Sequence, residues 1–423
     1  MSHGAGRKRS VLLVCGSFNL GGTERNVLQI ATGLDPGRFA VSVLAFVGSG
    51  PLRQPMEARG IPVADLQWSF DPRRLREDFE RLRAHIAATG PDIVHVFNYP
   101  TIYFGIAAGV AAQVPARLVA VQGQDTWKGW LERIMDRLIR KGVTLYIADG
   151  DGARRFAIHH QGLDPRRIQL IYDGPDVDGL QASAAPAVLR QRLGLRADTP
   201  TVGVVARLQD AHKGQSVFLR SIAQLPARIP CQFVLVGGGQ DEPALRQLAR
   251  DLGVAERVVF AGPRPQLADV LHALDILVLP SLRFESVPKI ILEGMATRRP
   301  VIASRVGDIP EVIEDGVTGL LVPPNDPRQL AGAMQRLLEH PEEARALGHH
   351  ACAALEARKM TLQQSLMTLM ETYESLAAAR VEPPAPALTA RMLRAVTVYR
   401  VLRLTQERVG WLLWERWAKR RRT

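Results

Sequence analysis

Three stretches of this chain carry residue types whose spacing could serve chemistry. The first is Gly16-Ser17-Phe18-Asn19-Leu20-Gly21-Gly22-Thr23-Glu24-Arg25, directly after an apolar run at 11–15. Adjacent glycines before a helix let the backbone approach a ligand, and a helix start offers unpaired N–H groups and a positive dipole end to an anion. No Gly-Lys-Ser or Gly-Lys-Thr follows, so this is not a P-loop. By itself the pattern fits an unliganded tight turn equally well. The second stretch is Val204-Val205-Ala206-Arg207-Leu208-Gln209-Asp210-Ala211-His212-Lys213-Gly214. Arg207 ends a strand-type run and Lys213 opens the next helical pattern, so two cations flank one strand-to-helix loop. They can converge on a diphosphate and neutralise it without a metal. Alone, the pair is more simply two cations on a surface loop. The third stretch is Phe284-Glu285-Ser286-Val287-Pro288-Lys289-Ile290-Ile291-Leu292-Glu293-Gly294-Met295-Ala296. Glu285 precedes a helical pattern and Glu293 lies within it, so the two carboxylates can accept hydrogen bonds from separate hydroxyls of one extended ligand. Backbone N–H groups near 287–289 could meet a phosphate between them. The alternative is a loop acid and a helix-surface acid. It is weaker for Glu293, whose neighbours at 290–292 and 294–296 are mostly apolar, where an acid wants a partner.

The elements that must position these stretches follow from hydrophobic periodicity. Apolar runs at 11–15, 41–46, 93–97, 118–121 and 145–148 alternate with helix-length segments at 23–33, 72–89 and 130–141. Strand, helix, strand order predicts parallel sheets with crossover helices. The pattern resets after a softer stretch at 174–200. Runs at 202–206, 233–236, 258–260, 276–279 and 300–303 then alternate with helices near 213–225, 241–252, 265–273, 287–297 and 308–315. The reading is two α/β domains joined near 180–200, with a cleft at the carboxyl ends of both sheets, where such folds bind ligands. Residues 327–376 read as helices. Glu382-Pro383-Pro384-Ala385-Pro386 is a stiff break, and 388–423 reads as a helical tail carrying Trp411, Trp414 and Trp417.

Composition bounds the rest. The chain has 423 residues, 46% hydrophobic and 23% charged, which excludes wholesale disorder and predicts two or three domains. Its three cysteines are far apart, which argues against a disulfide scaffold or a cysteine-built zinc site and fits a reducing compartment. No apolar window is long enough to span a bilayer. The start imitates a signal peptide, but its apolar run is too short and no cleavage-type site follows. The net charge of +12 sits mainly at the ends: 388–423 holds ten Lys and Arg against Glu407 and Glu415, and Arg7, Lys8 and Arg9 open the chain. That predicts contact with something anionic, most simply a phospholipid surface. Nucleic acid lacks support, because no helix-turn-helix, zinc-finger or RRM pattern accompanies the charge. On a helical wheel the tail shows no clean amphipathic face, so the membrane expectation rests on basic residues mixed with tryptophan, and a solvated tail is the alternative.

Taken together, the order and spacing of these motifs resemble the retaining glycosyltransferases of the GT-B fold, specifically glycosyltransferase family 4, the group 1 transferases, over nearly all of 10–376. The strongest part runs from Pro280-Ser281 through Ala296 and continues to Gly307-Asp308-Ile309-Pro310-Glu311 and Glu314-Asp315-Gly316-Val317-Thr318-Gly319-Leu320-Leu321-Val322. The resemblance implies an α/β architecture of two Rossmann-like domains whose parallel sheets face an interdomain cleft, plus a C-terminal helical tail. Residues 1–180 would form the acceptor-side domain and 181–365 the nucleotide-sugar domain. Residues 366–382 would cross back to the first domain, and 383–423 would be the basic tail. Arg207 and Lys213 would hold the diphosphate, Glu293 the ribose hydroxyls, and Glu285 hydroxyls of the transferred sugar, making Arg207, Lys213 and Glu285 the catalytic set. Gly21 and Gly22 match the N-terminal glycine loop. Backbone at Ser286, Val287, Pro288 and Lys289 would touch the sugar and distal phosphate, and Gly262 and Arg264 would lie near the base. The donor would be a UDP- or GDP-sugar, with no cofactor and no metal.

Departures from the family pattern fall around the acceptor and the sugar. A Val-His-Gly-type histidine is replaced by Gln122, which can donate a hydrogen bond but cannot titrate. Asp173-Gly174-Pro175-Asp176 stands for Asn-Gly-Val-Asp, and Ser-Val-Pro follows Glu285 in place of Gly-Phe-Gly. His95, Gln122 and Asp125 are the acceptor-side candidates, although a satisfied structural histidine is at least as good a reading of His95. The expectation is a transferase at the cytoplasmic face of the membrane, adding a sugar to a glycan or lipid-linked acceptor in surface polysaccharide or lipopolysaccharide assembly. The alternatives are a nucleotide-sugar epimerase or hydrolase of the same fold, and a non-catalytic homologue acting as a binding protein.

Overall fold

A computed structural model describes residues 7–19, 21–69, 71–99, 101–123, 128–226, 228–379, 390 and 392. The chain divides into two compact units. The first comprises residues up to Ala148, then Arg154–Ile171, and the chain from Leu366; the second comprises Asp149–Ala153 and Tyr172–Ser365.

The first unit is built on seven strands: β1 (Arg9–Ser17), β2 (Phe39–Val47), β3 (Val63–Asp65), β4 (Ile93–Val96), β5 (Ala116–Val121), β6 (Leu145–Ala148) and β7 (Ile168–Leu170). All pair in parallel, in the order β3-β2-β1-β4-β5-β6-β7. Val11 to Cys15 are at most 1% exposed, as expected of a strand covered on both faces, and each such side chain contributes about 1.5–3 kcal/mol of burial. The helix Thr101–Ala111 is buried along most of its length, and Gly105 lets it lie against Val96, 2.6 Å from where a Cβ would stand.

The helix Leu362–Ala378 packs on this unit through its residues from Leu366 onward. Tyr373 is fully buried, its Oη 2.8 Å from His95 Nδ1 and its ring edge-on to Phe39. Arg38 forms a two-pronged ion pair with Glu374 at 2.9 and 2.7 Å, and Thr372 Oγ1 donates to Gln169 Oε1 at 3.1 Å. The expected tail, 383–423, lies outside the described residues except for positions 390 and 392. Met392 is fully buried. Among the described residues no helix is long and apolar enough to cross a membrane.

The second unit carries six parallel strands: β8 (Thr201–Val205), β9 (Gln232–Val236), β10 (Val258–Gly262), β11 (Ile276–Leu279), β12 (Val301–Ser304) and β13 (Leu320–Val322), in the order β10-β9-β8-β11-β12-β13. The stretch 174–200, read as a soft junction, is folded into this unit. The helix Pro186–Arg192 buries Leu189, and Arg190 Nη2 pairs with Asp275 Oδ2 at 2.7 Å. In both sheets the strand order reverses once, at β1/β4 and at β8/β11. In folds of this kind the loops leaving the strands at such a reversal splay apart, and ligands bind beyond their carboxyl ends.

Candidate active site

In the second unit the crevice is built from the loops after β8 and β11. Arg207 follows β8 and is exposed, and no ion pair or hydrogen bond of its side chain is present among the described residues. Its carbonyl accepts from the Nε2 of buried Gln215 at 2.7 Å, which fixes the backbone beneath it. Lys213 ends a short helix, Asp210–Lys213, and its Nζ donates to Glu285 Oε1 at 2.5 Å. Ser281 Oγ donates to the same oxygen at 2.7 Å, and His212 Nε2 lies 3.3 Å from it. Glu285 is 9% exposed, so its charge is held by these contacts more than by water.

Two glycines make this convergence possible. Gly214 has φ +68° and a side chain there would strike the carbonyl of Pro280. Gly307 has φ +56° and a side chain there would strike the backbone of Glu285. Leu282 N donates to His212 O at 2.7 Å and Asp308 N to Glu285 O at 2.8 Å. The loop carrying Glu285 is thus clamped from both sides by backbone contacts only a glycine permits.

Proline decides where the next helix starts. The expected helix at 287–297 begins at Lys289, because Pro288 takes the extended cap conformation. Lys289 Nζ pairs with Asp173 Oδ1 at 2.8 Å. Burial pushes the Asp173 carboxyl above its ordinary range, and Lys289 opposes that shift. The hydroxyl of Ser286 is buried with no hydrogen-bond partner among the described residues, beside Val287 and Gly150. Glu293 lies half-buried in the helix. Gly262 closes β10 with φ +68°, and its carbonyl accepts from Gly237 N at 3.0 Å, beside the loop after β8. Arg264 is exposed and lines a separate depression with Arg192 and Asp269.

In the first unit Gly21 caps the helix Gly22–Gly33. Glu24 folds back over Gly21, taking the space a side chain there would need. Asn98, in the left-handed conformation just past β4, donates from Nδ2 to Glu24 Oε1 at 3.0 Å and accepts from Gly16 N at 3.1 Å. Thr23 Oγ1 donates to Gln122 Oε1 at 2.7 Å, just past β5. Burial, with Glu24 adding, pushes the Cys15 thiol up to about 12, so it stays protonated. A cavity of about 220 Å³ opens here, lined by Thr23, Asn98, Gln122, Lys128, Asp136 and Tyr146. Asp136 accepts from Tyr103 Oη at 2.9 Å and Lys128 Nζ at 3.0 Å.

Of the acceptor-side candidates, Gln122 lines this cavity and Asp125 lies outside the described residues. His95 requires a correction: it points into the core, is 1% exposed and bonds Tyr373, and burial depresses its pKa to about 3. It is a neutral structural imidazole. The sequence reading did not single out Asn98, Ser281 or His212. Ser281 and His212 stood inside quoted motifs; Ser281 is four residues from the carboxylate they share, but His212 is remote from it in sequence.

Two doubly wound parallel sheets of seven and six strands are the elements of the GT-B glycosyltransferase architecture. The solved structure of Anabaena HepE in complex with UDP matches 86% of this chain and 100% of its own at TM-score 0.76 and 23% identity. WaaG, a glycosyltransferase involved in lipopolysaccharide biosynthesis, matches 86% of this chain and 99% of its own at TM-score 0.65 and 18% identity. These likenesses show the fold.

The family comes from sequence. The family model Glycosyltransferase Family 4 matches residues 20–178, and Glycosyl transferases group 1 matches 199–340. The alpha-D-kanosaminyltransferase of Streptomyces kanamyceticus is 36% identical over 316 residues, covering 72% of this chain and 80% of that protein. The D-inositol 3-phosphate glycosyltransferase of Corynebacterium jeikeium is 33% identical over 256 residues, or 58% of this chain. The chain spans 55–60% of the length of this and two other such corynebacterial relatives. The chain belongs to glycosyltransferase family 4, the group 1 glycosyltransferases.

Proposed function

We propose that this transferase takes a sugar from a nucleoside diphosphate sugar, held by the second unit, and passes it with retained configuration to an acceptor held by the first. The observation that carries this reading is the Lys213–Glu285 ion pair at the β8/β11 crevice, with Arg207 uncommitted on the adjoining loop. As the nucleoside diphosphate departs, negative charge grows on its phosphate oxygens and the sugar becomes oxocarbenium-like. Arg207 and Lys213 meet the first change. Glu285, released from Lys213 by the incoming phosphate, accepts from hydroxyls of the transferred sugar and faces the second. Two cations match the diphosphate charge, so the step needs no metal. Glu293 holds the ribose, and the backbone from Ser286 to Lys289 meets the distal phosphate. UDP and GDP are both compatible with this set.

The acceptor is a glycan or lipid-linked sugar of surface polysaccharide or lipopolysaccharide assembly, reached at the cytoplasmic face of the membrane through the basic residues of 388–423. A second reading, a small soluble cyclitol or sugar acceptor, is favoured by the names of the relatives above and by a first-unit cavity sized for about one ring. Thermal-shift titration against a panel of nucleotide sugars tests the donor half, since a ligand at about 100 times its Kd adds about 2.7 kcal/mol of stability. The expected result is a rise in melting temperature with one nucleotide family that Lys213→Ala removes. A panel that leaves the melting temperature unmoved overturns it.

A further inference from the structure

A second cavity, of about 500 Å³, opens in the second unit at the amino ends of β8, β11 and β12, opposite to the strand ends that carry Arg207 and Glu285. Its walls bring Arg298 and Arg299, from the turn after the helix Lys289–Ala296, together with Arg345 and His349, one turn apart on the helix Pro341–Ala357. Ile276 and Leu337 supply an apolar floor.

The charges here do not balance. Asp275 lines the cavity, but its Oδ2 already accepts from Arg190 Nη2 and Thr201 N, both at 2.7 Å. Arg345 pairs with Glu342 on its own helix. Arg299 spends Nε on Thr297 O at 3.2 Å and Nη1 on Leu274 O at 2.9 Å, and no carboxylate lies within ion-pair distance. Burial lowers its pKa, although the guanidinium stays charged at neutral pH. Arg298 has no side-chain hydrogen bond or ion pair among the described residues. Arg298 is exposed and Arg299 half-buried, favoured at a distance by Asp275 but in contact with no carboxylate, so the two guanidinium groups leave the mouth of one partly apolar hollow with unspent positive charge that an anion can join.

The backbone is also held in a costly state. Arg298 has φ +56°, a conformation that strains a residue with a Cβ by about 1 kcal/mol or more. The turn is locked there by Gly348, where a side chain would strike the Arg298 carbonyl. An arginine kept at a position suited to glycine, on the wall of a cavity, suggests that the side chain is there for a ligand.

We propose that this cavity binds a phosphate monoester, its dianion between Arg298 and Arg299 and its organic part against Ile276 and Leu337. This is a binding site separate from the donor site. The turn that holds it continues the helix of Lys289 and Glu293, about 12 Å long, so occupancy bears on the far end of the donor crevice.

Calorimetric titration of the full chain with phenyl phosphate tests this, using Lys213→Ala to silence the donor crevice. The wild type and Lys213→Ala are expected to share one site of similar Kd. Arg298→Gly should weaken that site at least tenfold while the melting temperature holds or rises, because glycine relieves the strained turn. Co-sedimentation with phosphatidic acid vesicles, wild type against Arg298→Gly, distinguishes a lipid from a soluble phosphate as the source. Loss of all binding in Lys213→Ala, or an unchanged Kd and unchanged vesicle binding in Arg298→Gly, overturns the proposal.

Discussion

Lys213 and Glu285 lie 72 residues apart in sequence and share an ion pair at 2.5 Å, both side chains largely screened from water. Ser281 adds a hydrogen bond at 2.7 Å to the same oxygen. Each residue therefore shapes the resting state of the site as well as its chemistry.

Removing only the cation strands a buried carboxylate. Lys213→Met should cost about 2–4 kcal/mol in urea unfolding, and the double variant Lys213→Met/Glu285→Gln should recover part of that loss. Both should lack transferase activity. Additive losses in the double-mutant cycle would show that the contact carries no coupling energy.

Arg207 behaves oppositely. It is exposed and unpaired, so Arg207→Ala should move stability by no more than about 0.5 kcal/mol. Transfer should nevertheless fall by about 100-fold or more in kcat/KM, since the departing phosphate loses a charge-assisted donor. Near-normal kcat/KM would remove Arg207 from the chemistry.

Gly307 should tolerate no side chain. In Gly307→Ala the new Cβ meets the backbone of Glu285 at a positive φ, so the clamp on the loop must shift. The expected outcome is a loss of about 1–3 kcal/mol, with a fall in kcat larger than any change in donor affinity. Steady-state kinetics beside calorimetric donor binding separate the two effects.

His95 predicts an acid limb. Its pKa is about 3 in the fold against 6.5 ordinarily, because the imidazole is fully buried. Between those values the unfolded chain binds a proton that the native state refuses, so stability falls as pH drops below 6.5. The slope contributed is about 1.4 kcal/mol per pH unit. His95→Gln, which can keep a bond to Tyr373, should flatten that part of the profile. An identical slope in the variant would rule out His95 as its source.

The sequence showed the sheets more clearly than the contacts that finish the site. The runs at 145–148 and 276–279 coincide with β6 and β11, because a strand buried on both faces is apolar throughout and its polar neighbours mark both ends. The three-residue strands β3, β7 and β13 passed unnoticed, being too short for any period to register. The helix Thr101–Ala111 was missed for the opposite reason, since a helix buried all round has no polar face. Glu285 and Lys213 were both visible as charged residues at loop ends, yet no local pattern joins them. The same holds for Lys289 and Asp173, whose contact depends on how the chain returns to the loop before the helix. His95 was visible as a polar residue within an apolar run, but not the tyrosine from a distant helix that covers it.

The packing of Tyr373 and Glu374 against His95, Phe39 and Arg38 has a consequence for biosynthesis. Translation delivers the first sheet early and the helix that seals it only after Tyr172–Ser365 of the second unit has emerged. A nascent chain therefore carries an unsealed apolar face for most of its time on the ribosome. C-terminal truncations that stop before this helix should be captured by chaperones or aggregate, even though every strand of both sheets is present.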